Sequence, residues 1–289
     1  MPDEVVRTLT VDGVQYAYRR LCRPAPETEP IVLLGGVFQG LHGWHPIDTT
    51  LNEKADVITL DYLGDGTRAS AQYISPAQAS RAVAQAVDDL GADRINLLGY
   101  SYGSVIAHQY ALRHPERIAR LMLGGVPTGA TPEQQPYAQA IAATIAEGDK
   151  AKVATLLVEI MLCMDPDVEV PHRDLVYRCL RRTLLRHLHS PHAMVGLQRS
   201  LNAEIAVTQD RLPSVPTLVF SGVHDTLTPV PQQRAFAESV DGCQFTVIDS
   251  ADHLVILERP AEVADLALRH FTEGIGSCIR VGVRSESVP

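Results

Sequence analysis

The sequence predicts an α/β fold in which helices flank a mostly parallel sheet. Short apolar runs rich in β-branched residues and leucine recur along the chain, and helical patterns lie between them. Apolar side chains at successive positions are typical of strands buried on both faces of a parallel sheet. Helices between such strands provide the crossovers that parallel strands require. A third observation, the absence of strand runs from residues 127–211, predicts a helical insertion into this sheet.

The predicted strands begin with a segment that alternates around Asp12-Gly13, which indicates a hairpin. Each later run is closed by glycine, tyrosine, aspartate or serine, and most of these residues are typical of strand ends. The six later runs are 31–36, 56–62, 94–100, 118–125, 216–222 and 243–250.

Proline and glycine mark the ends of the clearest helices. One is predicted to start at Ser75-Pro76 and to end at Gly91, and the last runs from Pro260 to Gly274. Another helix is predicted from Ser101 onwards. We divide the chain into three parts, namely a core domain of residues 1–126 and 212–277, a helical cap of 127–211 and a tail of 278–289.

Composition limits the classes of function. The chain has 289 residues, 45% of them apolar, and a formal charge of −9, which disfavours nucleic acid as a partner because phosphate binding needs a basic surface. No apolar run reaches the ~18 residues that a transmembrane helix needs. The first residues lack a basic region followed by an apolar stretch, so we expect no secretion signal and a cytoplasmic protein. The five cysteines are widely spaced, which indicates reduced thiols.

The segment Gly99-Tyr100-Ser101-Tyr102-Gly103 lies between a predicted strand and a predicted helix. A G-x-S-x-G sequence in that context predicts a nucleophile elbow, a tight turn that holds the serine hydroxyl above the sheet. The helix N-terminus adds positive potential where an oxyanion would form. Ser101 is therefore the candidate nucleophile.

A serine hydroxyl needs a base to act as a nucleophile at neutral pH. His253 is the candidate, because it follows the last strand run and fits the chain order Ser, Asp, His. Asp225, just after the run 216–222, is the candidate acid that would orient the imidazole. Asp249 and Asp252 are alternatives, but both lie so near His253 in sequence that they would reach its Nδ1 with difficulty.

These residues, the strand order and the insertion resemble the α/β-hydrolase superfamily over about residues 5–274. The resemblance implies an eight-stranded, mostly parallel sheet with a helical cap after the sixth strand. It says little about substrate, since this fold carries esterases, thioesterases, dehalogenases, C–C hydrolases and acyltransferases.

The loop after the third strand departs from the pattern of many relatives, which have His-Gly-x there. In this chain it reads Gly35-Gly36-Val37-Phe38-Gln39. The resemblance implies that the backbone N–H groups of Val37 and Tyr102 form the oxyanion hole. Gln39 has two interpretations, a side-chain donor in the site or a surface residue in a glycine-bounded turn. Gly36, Phe38 and Gln39 are candidate substrate contacts.

A narrower resemblance concerns the same loop, the spacing of the cap, and the stretches 124–141 and 147–157. They resemble the family of synthases that join two 3-hydroxyacyl chains in rhamnolipid biosynthesis. Enzymes of that family take 3-hydroxyacyl thioesters and form an ester dimer. This resemblance therefore implies an acyltransferase.

One predicted cap helix carries Arg178, Arg181, Arg182 and Arg186, whose spacing places them on one face. This face is a candidate site for the phosphates of coenzyme A or for an acidic acyl-carrier protein. The alternative is a solvated helix face paired with acidic neighbours. Histidines in 172–192 lack acidic co-ligands, and we expect neither a metal nor a cofactor.

We predict an enzyme that cleaves an ester or a thioester of a small molecule through an acyl-serine, with water as the acceptor. One alternative is an acyltransferase that passes a (3-hydroxy)acyl group from coenzyme A or a carrier protein to a hydroxyl. The other is a non-catalytic receptor for a small molecule. No residue pattern decides between water and a hydroxyl as the acceptor.

Overall fold

The computed structural model describes residues 3–36, 39–61, 75–189, 197, 207 and 211–272. The strands in these ranges are β1 (Asp3–Val11), β2 (Val14–Cys22), β3 (Ile31–Leu34), β4 (Val57–Asp61), β5 (Ile95–Tyr100), β6 (Ile118–Gly124), β7 (Thr217–Gly222) and β8 (Gln244–Ile248). They form one eight-stranded sheet in the order β1-β2-β4-β3-β5-β6-β7-β8. β2 is antiparallel to β1 and β4, and the other neighbouring pairs are parallel. The predicted fold class is confirmed.

The helices in the described ranges are α1 (Ile47–Leu51), α2 (Pro76–Asp89), α3 (Tyr102–Arg113), α4 (Gln135–Glu147), α5 (Lys150–Met161), α6 (Arg173–Leu188), α7 (Val230–Glu238), α8 (Val255–Glu258) and α9 (Pro260–Thr272). The predicted start of α2 is confirmed, because Ser75 and Gln78 form a capping box there. α3 ends at Arg113, since the residue before Pro115 disfavours helical backbone, and a 3₁₀ turn follows. Within the described residues, no helix is long and apolar enough to cross a membrane.

Alternate side chains of the strands face two separate apolar layers. In β3, Val32 and Leu34 face the cluster that contains α2 and α3, whereas Ile31 and Leu33 face the cluster that contains α1 and α9. All four are almost completely buried. The central strands are therefore covered on both faces, which explains their continuous apolar sequences.

Helices α4, α5 and α6 lie between β6 and β7 in the chain, as predicted for a cap, and they share an apolar cluster of their own. Leu254, which follows the last strand, also belongs to this cluster. The helix predicted over 193–205 falls outside the described residues except for Leu197, and so does the tail 278–289. The bounds of the core domain and the cap stay a prediction.

Candidate active site

Ser101 lies in a sharp turn between β5 and α3. Its backbone has a φ of 53° and a ψ of −122°, a conformation that L-residues rarely adopt. A Cβ at Gly99 would lie 2.7 Å from the Ala107 Cβ, and a Cβ at Gly103 would collide with the Leu34 carbonyl group. The two glycines thus let the strand, the turn and the helix approach each other closely, which the G-x-S-x-G pattern requires.

The structure brings Ser101, His253 and Asp225 into one chain of hydrogen bonds. His253 Nε2 lies 3.0 Å from Ser101 Oγ, and His253 Nδ1 lies 2.9 Å from Asp225 Oδ2. His253 follows β8 and Asp225 follows β7, so all three residues come from the carboxyl ends of parallel strands. Among the alternative acids, Asp249 is exposed and Asp252 forms its hydrogen bonds elsewhere.

Asp225 is held by its own turn. Its Oδ1 accepts hydrogen bonds from the backbone N–H groups of Leu227 (2.9 Å) and Thr228 (2.7 Å). The Thr228 hydroxyl donates to Oδ2 at 2.6 Å, beside the bond from His253. Sequence reasoning missed Thr228. A hydroxyl residue three positions after an aspartate at a strand end is the local signal that could have found it.

The environment of His253 favours its protonated form. Burial lowers the pKa of the imidazole, but the charge of Asp225, its hydrogen bond and the charge of Asp252 outweigh burial and raise the pKa above the usual value. This arrangement stabilises the imidazolium that His253 would form when it accepts a proton during a reaction.

Of the two residues predicted to form the oxyanion hole, the structure describes Tyr102. Tyr102 directly follows Ser101 and is the first residue of α3, which places its backbone N–H at the N-terminus of the helix. Gly36 lies against the serine, because a Cβ at Gly36 would be 3.5 Å from the Ser101 Cβ. Val37 and Phe38, the other predicted residues of this loop, fall outside the described residues.

The side chain of Gln39 bonds to the backbone of its own loop. Its Oε1 accepts a hydrogen bond from the Gly36 N–H at 3.1 Å, and its Nε2 donates to the Gly43 carbonyl at 2.9 Å. The amide is therefore directed at the backbone of its own loop instead of at a substrate or at solvent. A side-chain brace of this kind is not visible in the sequence, since it depends on the path of the loop.

The basic face of the cap is smaller than predicted. Arg178, Arg182 and Arg186 are exposed, whereas Arg181 is half-buried and donates to the Thr155 hydroxyl of α5 at 2.9 Å. The structure shows no salt bridge between these three exposed arginines and any other described residue. We call Arg178, Arg182 and Arg186 the cap arginines. Arg181 is removed from this set because it packs between two helices.

The family model for the α/β-hydrolase fold matches residues 29–260. The match covers most of the chain, and the protein therefore belongs to the α/β-hydrolase fold family. Together with the esterases and lipases among its relatives, this membership supports a hydrolase.

Two named relatives resemble the chain over nearly their full length. The poly(3-hydroxyalkanoate) depolymerase of Ectopseudomonas oleovorans is 24% identical over 280 residues, which cover 93% of this chain and 93% of that protein. The pimeloyl-[acyl-carrier protein] methyl ester esterase of Chromobacterium violaceum is 28% identical over 251 residues, which cover 83% of this chain and 93% of that protein. Among solved structures, Est816, described as an N-acyl homoserine lactone degrading enzyme, has a TM-score of 0.74 and 26% identity, covering 92% of this chain and 100% of that one.

Proposed function

We propose that the protein is a serine hydrolase that cleaves carboxylic esters and thioesters through an acyl-serine. The observation that carries this proposal is the unbroken chain of hydrogen bonds from Ser101 Oγ through His253 to the buried carboxylate of Asp225. Nucleophile, base and orienting acid stand in the order in which acyl transfer uses them. A cytoplasmic location stays a prediction from the sequence.

The proposed reaction has two steps. Ser101 Oγ attacks the carbonyl carbon while His253 Nε2 takes the hydroxyl proton, and the N–H groups of Tyr102 and Val37 bind the oxyanion. Each such donor contributes about 3 kcal/mol in comparable sites. His253 then gives its proton to the leaving alcohol or thiol. In the second step a water molecule attacks the acyl-serine, and His253 again accepts and returns the proton.

We further propose that the acyl group is a 3-hydroxyacyl chain or a similar aliphatic chain. One relative is named for poly(3-hydroxyalkanoate), another for an acyl-carrier ester and a third for an N-acyl lactone. The half-buried side chains of Leu156, Ile160 and Met161 beside the cap cluster would suit an apolar chain.

Product analysis by mass spectrometry tests this function. The wild type and Ser101→Ala are incubated with 3-hydroxydecanoyl-CoA, and the thiol and all acyl products are followed. We expect free 3-hydroxy acid from the wild type and none from Ser101→Ala, and a fluorophosphonate probe should label only the wild type. Ser239→Ala, which removes an exposed hydroxyl at the end of α7, is the matched control and should behave like the wild type. Hydrolysis that survives in Ser101→Ala would contradict the nucleophile.

An acyltransferase is the second candidate. The cap arginines favour it, because exposed guanidinium groups on one face, without a salt bridge to the described residues, suit the phosphates of coenzyme A or an acidic carrier protein. In the same experiment an ester-linked dimer of the acyl group would indicate transfer to a hydroxyl. Free acid alone would indicate transfer to water.

A further inference from the structure

The loop that carries His253 is attached to the cap by the residues on both sides of the histidine. Before it, Asp252 Oδ2 accepts a hydrogen bond of 2.8 Å from the backbone N–H of Cys163, two residues beyond the end of α5. After it, Leu254 packs into the apolar cluster of the cap. A displacement of the cap at Cys163 would therefore act on the loop of the base directly.

Asp252 is completely buried, and each of its carboxylate oxygens already accepts a backbone N–H. Oδ2 accepts from Cys163, and Oδ1 accepts from Leu254 at 2.9 Å. The Asp252 N–H in turn donates to Glu258 Oε2 at 2.8 Å, which closes the loop around His253. Replacing either oxygen with a donor would leave one backbone N–H without its acceptor.

Glu258 faces Asp252 with a second carboxyl group. Its Oε2 is held 2.8 Å from the Asp252 backbone nitrogen, and its buried Oε1 accepts from no donor in the described part of the chain. A buried carboxyl group is thus held against Asp252, whose own carboxyl group is also buried. Two ionised carboxylates in one buried site repel each other, and this repulsion favours a single proton held by the pair.

We propose that Asp252 is a positioning residue that couples the cap to the base His253, and that it does so through a carboxyl pair in which Asp252 and Glu258 share a single proton. This inference rests on the proposed function of His253. It adds a structural role for an acid that takes no part in the hydrogen-bond chain of Ser101, His253 and Asp225.

The surroundings of the pair keep the proton there. Burial is the largest cause that raises the pKa of both carboxyl groups. The charge of Asp252 also raises the pKa of Glu258, and the charge of Asp225 raises the pKa of Asp252, against the lowering effect of the N–H groups that Asp252 accepts. Arg173, at the start of α6, acts in the opposite direction on Glu258. Further titratable residues beside the pair are Tyr100 of β5, His253 itself and Cys163 of the cap. The pKa of Glu258 stays raised on balance.

The direction of the pH effect follows from this shift. A carboxyl group whose pKa is higher in the folded state than in the unfolded chain holds its proton in the folded state over the interval between the two values. As the pH rises through the folded value, the pair gains a second buried negative charge and the attachment weakens. We therefore expect a loss of activity on the alkaline side that originates in the pair.

Hydrogen exchange tests the attachment without reference to activity. Asp252→Asn places a side-chain N–H₂ opposite the backbone N–H of either Cys163 or Leu254. We therefore expect at least one of these two backbone N–H groups to exchange about tenfold faster or more. The matched control is Asp249→Asn, which removes an exposed carboxylate from the same loop and should leave the exchange unchanged. Unchanged exchange at both amides in a folded Asp252→Asn variant would overturn the attachment.

The shared proton is tested by a pH profile. Glu258→Gln keeps an acceptor for the Asp252 N–H and supplies a donor to the Asp252 carboxylate that does not titrate. The rate of fluorophosphonate labelling, from about pH 6 to about pH 10, should fall on the alkaline side for the wild type and lack that fall in Glu258→Gln. Identical alkaline falls in both proteins would overturn the shared proton. Glu258→Ala, which has neither acceptor nor donor, should label about tenfold more slowly or worse at every pH.

The two proposals fail in different ways. If the protein does not label at all, the proposed function is wrong, and exchange at Cys163 and Leu254 still tests the attachment. The protection factors of these two N–H groups, measured across the same pH range, should fall on the alkaline side in the wild type and not in Glu258→Gln. If the wild type labels and hydrolyses esters but neither the exchange nor the profile changes in the variants, only the role of the pair is wrong.

Discussion

At the scale of single residues, the geometry of the candidate acid depends on one threonine. Asp225 accepts four hydrogen bonds from the described residues, and two of them come from Thr228, through its backbone N–H and through its hydroxyl. The hydroxyl also lies 3.3 Å from His253 Nδ1, which places it beside the bond between the acid and the base. The Thr228 side chain therefore orients Oδ2 toward the imidazole.

Replacing Thr228 with valine should lower both activity and stability. The variant keeps the shape of the side chain but removes a buried donor to a charged acceptor, which typically costs about 1.5–3 kcal/mol. We expect kcat for a short ester to fall about tenfold or more, and Tm to fall. Thr228→Ser keeps the hydroxyl and should retain most of the activity. A kcat for Thr228→Val equal to that of the wild type would contradict this role.

At the scale of elements, the side chain of Gln39 shapes the loop between β3 and α1, because it bonds to the backbone of that loop. Cβ atoms at Gly35 and Gly43 would lie 2.6 Å and 2.5 Å from atoms of the Gln39 side chain. The two glycines thus leave room for the Gln39 amide, which ties Gly36 to Gly43. Because Gly36 lies against Ser101, this brace sets how closely the loop approaches the nucleophile.

Removing the Gln39 amide should reduce turnover more than it affects substrate binding. Gln39→Met fills a similar volume without hydrogen bonds, and we expect kcat to fall about tenfold to a hundredfold with a small change in KM, since a displaced oxyanion donor acts mainly in the transition state. Kinetics with a p-nitrophenyl ester measure this. Gln39→Glu keeps the acceptor for the Gly36 N–H and should lie between Gln39→Met and the wild type. An unchanged kcat in Gln39→Met would show that the brace has no effect on the site.

At the scale of the whole molecule, the distribution of charge is uneven. The chain carries a formal charge of −9, yet Arg178, Arg182 and Arg186 stand exposed along α6 with no salt bridge to the described residues. Some other exposed arginines are paired, for example Arg7 with Asp89 and Arg211 with Asp241, whereas others, such as Arg113, form no salt bridge with the described residues either. An unpaired basic row on an acidic protein would attract an acidic ligand over the cap.

Reversing the three cap arginines to glutamate should raise KM for an acyl-CoA substrate by about tenfold or more at low salt, because several phosphate contacts are replaced by repulsion. KM for a neutral p-nitrophenyl ester should not change. Arg113→Glu, a charge reversal at the exposed end of α3, is the control and should leave both KM values unchanged. Equal KM values for the wild type and the triple variant, at low and at high salt, would leave the cap arginines as an ordinary solvated face.

Local patterns in the sequence identified the parts of the site that depend on local structure. Ser101 was found because glycines on either side of it are required by the elbow. His253 and Asp225 were found because apolar runs mark the strands, and catalytic side chains follow the carboxyl ends of strands in this chain order. The hydrogen bonds among the three were not visible in the sequence, since Ser101 and His253 are 152 residues apart.

The sequence by itself determined the strands, the helix starts and the three side chains at the strand ends, because hydrophobic periodicity, proline and glycine act over a few neighbouring residues. Only the tertiary structure decided that the Gln39 amide turns back on its loop, that Arg181 packs between helices, and that Asp252 reaches the cap at Cys163. Asp252 and Cys163 are 89 residues apart and meet through one backbone hydrogen bond. Such contacts depend on how the packed elements lie against each other, and no local pattern of residues specifies that.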